Sequence, residues 1–233
     1  MSKIHPSTSS GSKGGDNNNN MLLREKEEDM RPCMLTVWKR SSMSFQGTDG
    51  FTVFDNQGRL VFRVDNYSRN SRRVAAAGLL LMDGAGNALL SLKPQILSMQ
   101  YQWNGYREES DRCGKRGMSK AFTMRSSSLL FHSGKDEAKV FMMGSGPTRR
   151  KQAHQTPDFK IEGCFRSRNC KIKNANGDLV AQIARKRANS TILLSDDVFS
   201  LLVYPGFGTD LVMAFVVILD RISSKPYTPV LCS

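Results

Sequence analysis

Histidine is scarce. The chain of 233 residues has three, His5, His132 and His154, set far apart. A catalytic triad would require the fold alone to gather them, and no Gly-x-Ser-x-Gly elbow accompanies them. Cysteine is limited to Cys33, Cys113, Cys164, Cys170 and Cys232, an odd count with no C-x-x-C pair. That spacing excludes a zinc knuckle and a disulfide framework, so reduced thiols in a cytoplasmic or nuclear protein are expected. Phosphate-cradling loops are missing too: "GSGPTRRK" lacks the Gly-Lys-Ser/Thr ending, and "GFGTD" holds a lone glycine pair. The longest apolar run is Leu211 to Leu219, well short of the roughly 20 residues a membrane-crossing helix needs. The start of the chain is polar, Ser2 rather than glycine follows Met1, and Cys232 is second from the end. No signal peptide and no lipidation motif are therefore expected. These absences predict a protein that is not an enzyme and carries no cofactor or metal.

Acidic residues are outnumbered, with 21 Asp and Glu against 34 Lys and Arg, for a net charge of +13. Such an excess draws a chain toward anionic membrane surfaces, nucleic acid or acidic proteins.

What is present is a repeated phrase. Asp55, Gly58, Leu60 and Val64 stand at the same offsets as Asp83, Gly86, Ala88 and Leu92, and as Asn174, Gly177, Leu179 and Ile183. Asp or Asn at the first corner and Gly at the fourth fit a type I turn whose exit residue is left-handed. Turns of that kind join antiparallel strands through a bulge. A calcium loop is excluded, because its alternating acidic ligands and closing Glu are missing. After the turn, Leu60, Phe62 and Val64 alternate with Arg59 and Arg63, and Leu179, Ala181 and Ile183 repeat the pattern. Period two means strands with one buried face.

Further strands are expected at 33–40, 96–107, 121–131, 138–143, 158–165 and 200–207. Residues 1–31 read as a disordered tail, with at most one or two helical turns in "LLREKEEDMR". The domain is expected over 32–223, polar loops over 108–120 and 144–157, and a second tail over 224–233. Ten or more short strands predict an all-β barrel or sandwich, since closure hides strand edges. One segment differs. "TDLVMAFVVIL" (209–219) is apolar all round. Thr209 or Asp210 fits a helix cap, whereas its β-branched residues fit a strand, and periodicity does not separate the two. Either way it must be fully buried.

The ordered stretches "LTVWKRSSMSFQGTDGFTVFDNQGRLVFRV", "LLLMDGAGNALLSLKPQILSMQYQWNGYR", "FKIEGCFRSRNCKIKNANGDLVAQIARK" and "DLVMAFVVILDRI" resemble the plant LURP-one-related family from about Cys33 to Ile222. The resemblance implies a tubby C-terminal-like fold: a closed antiparallel β-barrel of about twelve strands around a central hydrophobic C-terminal helix, here residues 210–221. It also implies kinship with tubby proteins, which bind phosphoinositides and tether a transcription factor to the membrane, with phospholipid scramblases, and with plant pathogen defence. Fold alone does not transfer function.

Two basic clusters are the candidate binding residues: Arg166, Arg168, Lys171 and Lys173 in "FRSRNCKIK", and Arg185, Lys186 and Arg187 in "ARKRAN". The third hairpin brings them onto adjacent strands. Lys171 and Lys173 are expected outside, opposite Ile172; Arg166 and Arg168 join them only if a bulge near 167–169 turns them outward. Arginine forks and lysine point charges both suit phosphate oxygens. The competing reading is a solvated outer face that discourages edge pairing. Arg149, Arg150 and Lys151 fit a nuclear signal or a basic loop. The expected partners are anionic phospholipid headgroups or a protein, with nucleic acid and scramblase-like lipid handling as alternatives. The expected location is cytoplasmic, peripheral to a membrane, or nuclear.

Overall fold

A computed structural model describes residues 31–40, 50–66, 78–95, 101–110, 116–126, 138–143 and 156–224. Twelve strands form one closed antiparallel barrel: β1 (Cys33–Arg40), β2 (Gly50–Phe54), β3 (Leu60–Asn66), β4 (Leu79–Asp83), β5 (Ala88–Gln95), β6 (Gln102–Ser110), β7 (Arg116–Ser126), β8 (Ala138–Met142), β9 (Phe159–Cys164), β10 (Asn169–Asn174), β11 (Leu179–Arg185) and β12 (Val198–Val203). Each strand pairs with its neighbours in sequence, and β12 closes on β1 from Cys33↔Val203 to Trp38↔Val198. Closure leaves no raw edge in the ring.

The three repeated phrases fold alike. Gly58, Gly86 and Gly177 have φ of 78°, 94° and 91°, the left-handed region that glycine enters without steric cost. Their amides donate to the carbonyls of Asp55, Asp83 and Asn174. The side chains of those first-corner residues accept in turn from the amides of Arg59, Asn87 and Asp178. Directly after each turn the ladder slips by one residue, at Val53/Phe54, Leu81/Met82 and Ile172/Lys173. That slip corrects the expected alternation. Val61, Leu89 and Val180 are the extra residues, so Leu60 is 38% exposed while Val180 is fully buried.

The ambiguous apolar segment is a helix, α1 (Thr209–Ser224). Val212 to Asp220 are all buried, and the inward faces of the strands surround them in one core. Inside a closed ring no strand edge is free to pair with it, so only a helix satisfies its own backbone. Each buried Val, Leu, Ile, Phe or Met contributes about 1.5–3 kcal/mol. Phe215 is gripped edge-on by Phe122, with centroids 5.0 Å apart, and meets Phe159 at 5.5 Å. Phe122 reaches that position because β6 offers Gly105 opposite it.

The expected polar loop at 108–120 is mostly strand. Glu108↔Met118, Glu109↔Gly117 and Ser110↔Arg116 extend the β6–β7 hairpin, and polar residues suffice where one face of a hairpin is solvated. Residues 1–30, 144–155 and 225–233, which held the expected tails and second loop, lie outside the described residues. So do 96–100 and 127–131, from the ends of two expected strands, and Arg149, Arg150 and Lys151.

A Cβ added at Gly105 would sit 2.1 Å from the Phe122 ring. Gly105→Ala is expected to lose about 1–3 kcal/mol by over-packing, lowering the midpoint by about 2–4 °C per kcal/mol for a domain of this size. Thermal unfolding followed by circular dichroism measures it; an unchanged midpoint would show that the Phe122–Phe215 contact is soft.

Candidate anion-binding surface

The seven candidate cations do not form one patch. In place of the bulge near 167–169 that gathering the arginines would need, a turn over 165–168 ends β9 and starts β10, with Arg168 at its last corner and φ 53°. Arg168 points inward, not outward. Its guanidinium lies over Phe165 at 4.3 Å and over Phe199 at 4.4 Å, and its Nε donates to the Asp196 carbonyl at 2.8 Å. Burial pulls its pKa below the ordinary arginine value, and the carboxylates of Asp220, Asp196 and Asp197 work against that. Arg166 donates from Nε and Nη2 to the Ser223 carbonyl, at 3.2 and 3.1 Å. It thus serves an orphan acceptor at the end of α1. Arg166 ties this turn to the end of α1, and Arg168 ties it to β12 and the segment before it.

In the second cluster, Arg185 pairs with Asp196 at 2.8 Å and Arg187 donates to the Ser190 carbonyl at 2.9 Å. Lys186 is half-buried. Lys171 and Lys173 do alternate outward around the fully buried Ile172. Lys173 binds Glu162 at 2.8 Å, while Lys171 is exposed beside it.

Register assembles a different basic surface. Arg125 on β7 faces Lys139 on β8, Lys139 faces Lys160 on β9, and Lys160 faces Lys173 on β10. Four cations thus stand side by side across four consecutive strands, spanning about 14 Å at ordinary strand spacing. Lys171 adds a fifth, one step along β10. Like charges directly opposite destabilise a sheet, so packing does not account for this row. Glu162, directly opposite Lys171, sets an acid among them. The Lys173 hydrogen bond lowers its pKa, partial burial opposes that, and the charges of Lys173, Lys160 and Lys171 lower it further. Arg125 is steadied by Gln102 at 2.9 Å and lies over Phe141 at 5.2 Å.

Sequence reasoning missed Arg125, Lys139 and Lys160. They sit singly in three different strands, and no run of basic residues marks them. Only pairing register, with its period-two facing, brings them together.

Among the described residues no group of three or more His, Cys, Asp or Glu is placed to hold a metal ion. No helix among the described residues is long and apolar enough to cross a membrane.

A sequence profile of the LURP-one-related family matches residues 34–220. The chain belongs to the LURP-one-related family. Among curated relatives, protein LURP-one-related 5 of Arabidopsis thaliana is 38% identical over 191 residues, covering 81% of this chain and 82% of that protein. LURP-one-related 12 of the same plant is 33% identical over 190 residues, covering 81% and 77%. A solved X-ray structure of an Arabidopsis thaliana protein superposes with a TM-score of 0.53 at 19% identity, over 83% of this chain and 92% of that one. At that identity the likeness speaks to the barrel alone. The LURP-one-related fold expected from the sequence, twelve strands around one C-terminal helix, is the fold observed.

The split between structural and solvent-facing cations is measurable. Arg168→Ala leaves two rings and nearby carboxylates without their cation, and is expected to cost about 3 kcal/mol. Lys171→Ala, on the open wall, is expected to stay within about 0.5 kcal/mol of wild type. Urea unfolding of the two variants side by side checks this; equal losses would contradict the assignment.

Proposed function

We propose that this LURP-one-related barrel is a non-enzymatic module that docks on anionic membrane surfaces, with phosphoinositide headgroups as preferred ligands, and so holds a regulator at the membrane. The observation that carries the reading is the cross-strand row Arg125, Lys139, Lys160 and Lys173, flanked by Lys171. In a plant cell such a tether fits a regulator of the defence response. Lysine ammoniums on a convex wall present point charges to phosphates in any orientation. Each adds about 1 kcal/mol near an anionic leaflet.

Two alternatives fit less well. Single-stranded nucleic acid is held by stacking platforms as well as charge, and on the basic row's own strands Phe141 is covered by Arg125. Scramblase-like insertion would withdraw the apolar helix from the core it fills, against the ties at Asp210 and Asp220.

Sedimentation with vesicles tests the reading. Binding is expected to vesicles containing phosphatidylserine or a phosphoinositide, to be weaker on phosphatidylcholine alone, and to fall with salt. Lys139→Ala/Lys160→Ala/Lys171→Ala is expected to weaken it about a hundredfold, whereas Arg187→Ala leaves it unchanged. Absence of binding at physiological salt, or equal binding by the triple variant, would refute the reading; preferential displacement by duplex DNA would favour nucleic acid.

Acid gives a second check. A lowered Glu162 pKa means the carboxylate stays charged at pH values where an ordinary glutamate is already taking up protons, and its pairing is lost only as pH falls through the lowered value. Glu162→Gln removes that negative charge at neutral pH and is expected to strengthen vesicle binding about fivefold. Unchanged affinity would mean that Glu162 does not face the bilayer.

A further inference from the structure

A second feature of the outer wall lies on β4–β7, beside the basic face and separate from it. A barrel wall is convex, yet here it holds a hollow of about 390 Å³ lined by Leu80, Leu89, Ser91, Lys93, Tyr106, Glu108 and Met118, among others. Its cause is local. Register places Leu80, Ser91, Tyr106 and Lys120 in one cross-strand row. Ser91 is the small member of that row, with Leu80 and Tyr106 on either side and Leu89 and Lys93 two residues away along its own strand. Two bulges bracket the hollow, at Leu81/Met82 and Gly105/Tyr106, and bulges re-aim side chains beside sites.

The lining runs against the ordinary pattern. Outward positions of a solvated strand are polar, but Leu80, Leu89 and Met118 line this hollow, Leu89 also packing against the core and Met118 being 54% exposed. Polar groups are confined to particular places. Ser91 stands between Leu80 and Tyr106, and the Lys93 ammonium stands over the Tyr106 ring at 5.5 Å. Glu108 lies toward Leu89, at the opposite end. From Lys93 to Leu89 is four residues along β5, about 13 Å. The volume is that of a small-ligand site, with apolar walls and a few convergent polar groups.

We propose that this hollow binds a small organic acid with an extended apolar body, its acid group at Lys93 and its body along Ser91 toward Leu89. Charge sets the direction. Lys93 attracts the anion at one end, and Glu108 repels it from the other. Met118 and Leu89 close over the apolar part, the thioether adapting to its shape. No residue of the basic row lines this hollow, so the two sites are separable.

The test uses the full chain and three probes: anilinonaphthalene sulfonate as a fluorescent apolar anion, and decanoate and decanol as competitors of equal length but different charge. One saturable sulfonate site per chain is expected, with decanoate displacing it better than decanol. Ser91→Phe fills the space between Leu80 and Tyr106 and is expected to weaken sulfonate binding at least about tenfold. Lys93→Ala is expected to weaken decanoate several-fold and leave decanol unchanged, while Glu108→Gln strengthens decanoate. Circular dichroism confirms that each variant is folded. Undiminished binding by Ser91→Phe, or equal losses for decanoate and decanol in Lys93→Ala, would overturn the proposal. The Lys139→Ala/Lys160→Ala/Lys171→Ala variant is expected to bind the sulfonate as wild type does, which keeps this outcome distinct from membrane docking.

Discussion

The lumen dictates the rest of the molecule. Twelve strands closed into a ring remove every edge, but they enclose more space than inward side chains alone fill. Water cannot occupy it, since the surrounding positions are Val, Leu, Ile and Phe. The solution is a segment apolar on all sides that satisfies its own backbone, which α1 supplies. Fit then becomes a matter of single atoms: Gly105 leaves room for Phe122, and Phe122 sets its edge against Phe215. Polar ties hold the helix at both ends, Arg107 to Asp210 at 2.5 Å near the start, and Lys39 to Asp220 at 2.9 Å with Arg166 to the Ser223 carbonyl near the finish.

Once the interior is settled, outward positions carry no packing duty and are open to other selection. The two basic residue types divide accordingly. Arginines near the helix end are drawn in: Arg168 stacks between two rings, and Arg166 forks onto a carbonyl. A planar, weakly hydrated guanidinium suits such partial burial. Lysines dominate the outer wall of β8–β10, where a strongly hydrated ammonium on a long stem stays in water. The same formal charge therefore does two kinds of work on one hairpin, Arg168 inside and Lys171 outside, three residues apart.

Much of the fold was legible in the sequence. The Asp55, Asp83 and Asn174 phrases carried their turn type in their residues, because a left-handed exit corner demands glycine. The segment 209–219 had to be buried, although its helical state followed only from the family resemblance and the closed ring. A bulge at each turn was legible, but the residue it skips was not: nothing in "QGRLVF" says that Val61 is passed over rather than paired. The candidate site was legible only in fragments. Arg166 and Arg168 read as strand residues because "FRSRNCKIK" lacks a Gly or Pro that would mark the 165–168 turn; Arg168 itself takes the positive φ. Arg125, Lys139 and Lys160 read as unrelated single charges, since cross-strand neighbours are fixed by pairing rather than by proximity in the chain.

The seam between β1 and β12 joins Cys33 to Val203, and the helix that fills the ring follows that seam in the chain. A ribosome, working from the N-terminus, delivers the wall first and the plug last. Without α1 the inward Val, Leu, Ile and Phe side chains of the strands would lack the filler that covers them. Sealing the ring joins residues roughly 170 positions apart, a slow, high-contact-order event, so the ring and its filler come together only once the last stretch of the barrel domain is available.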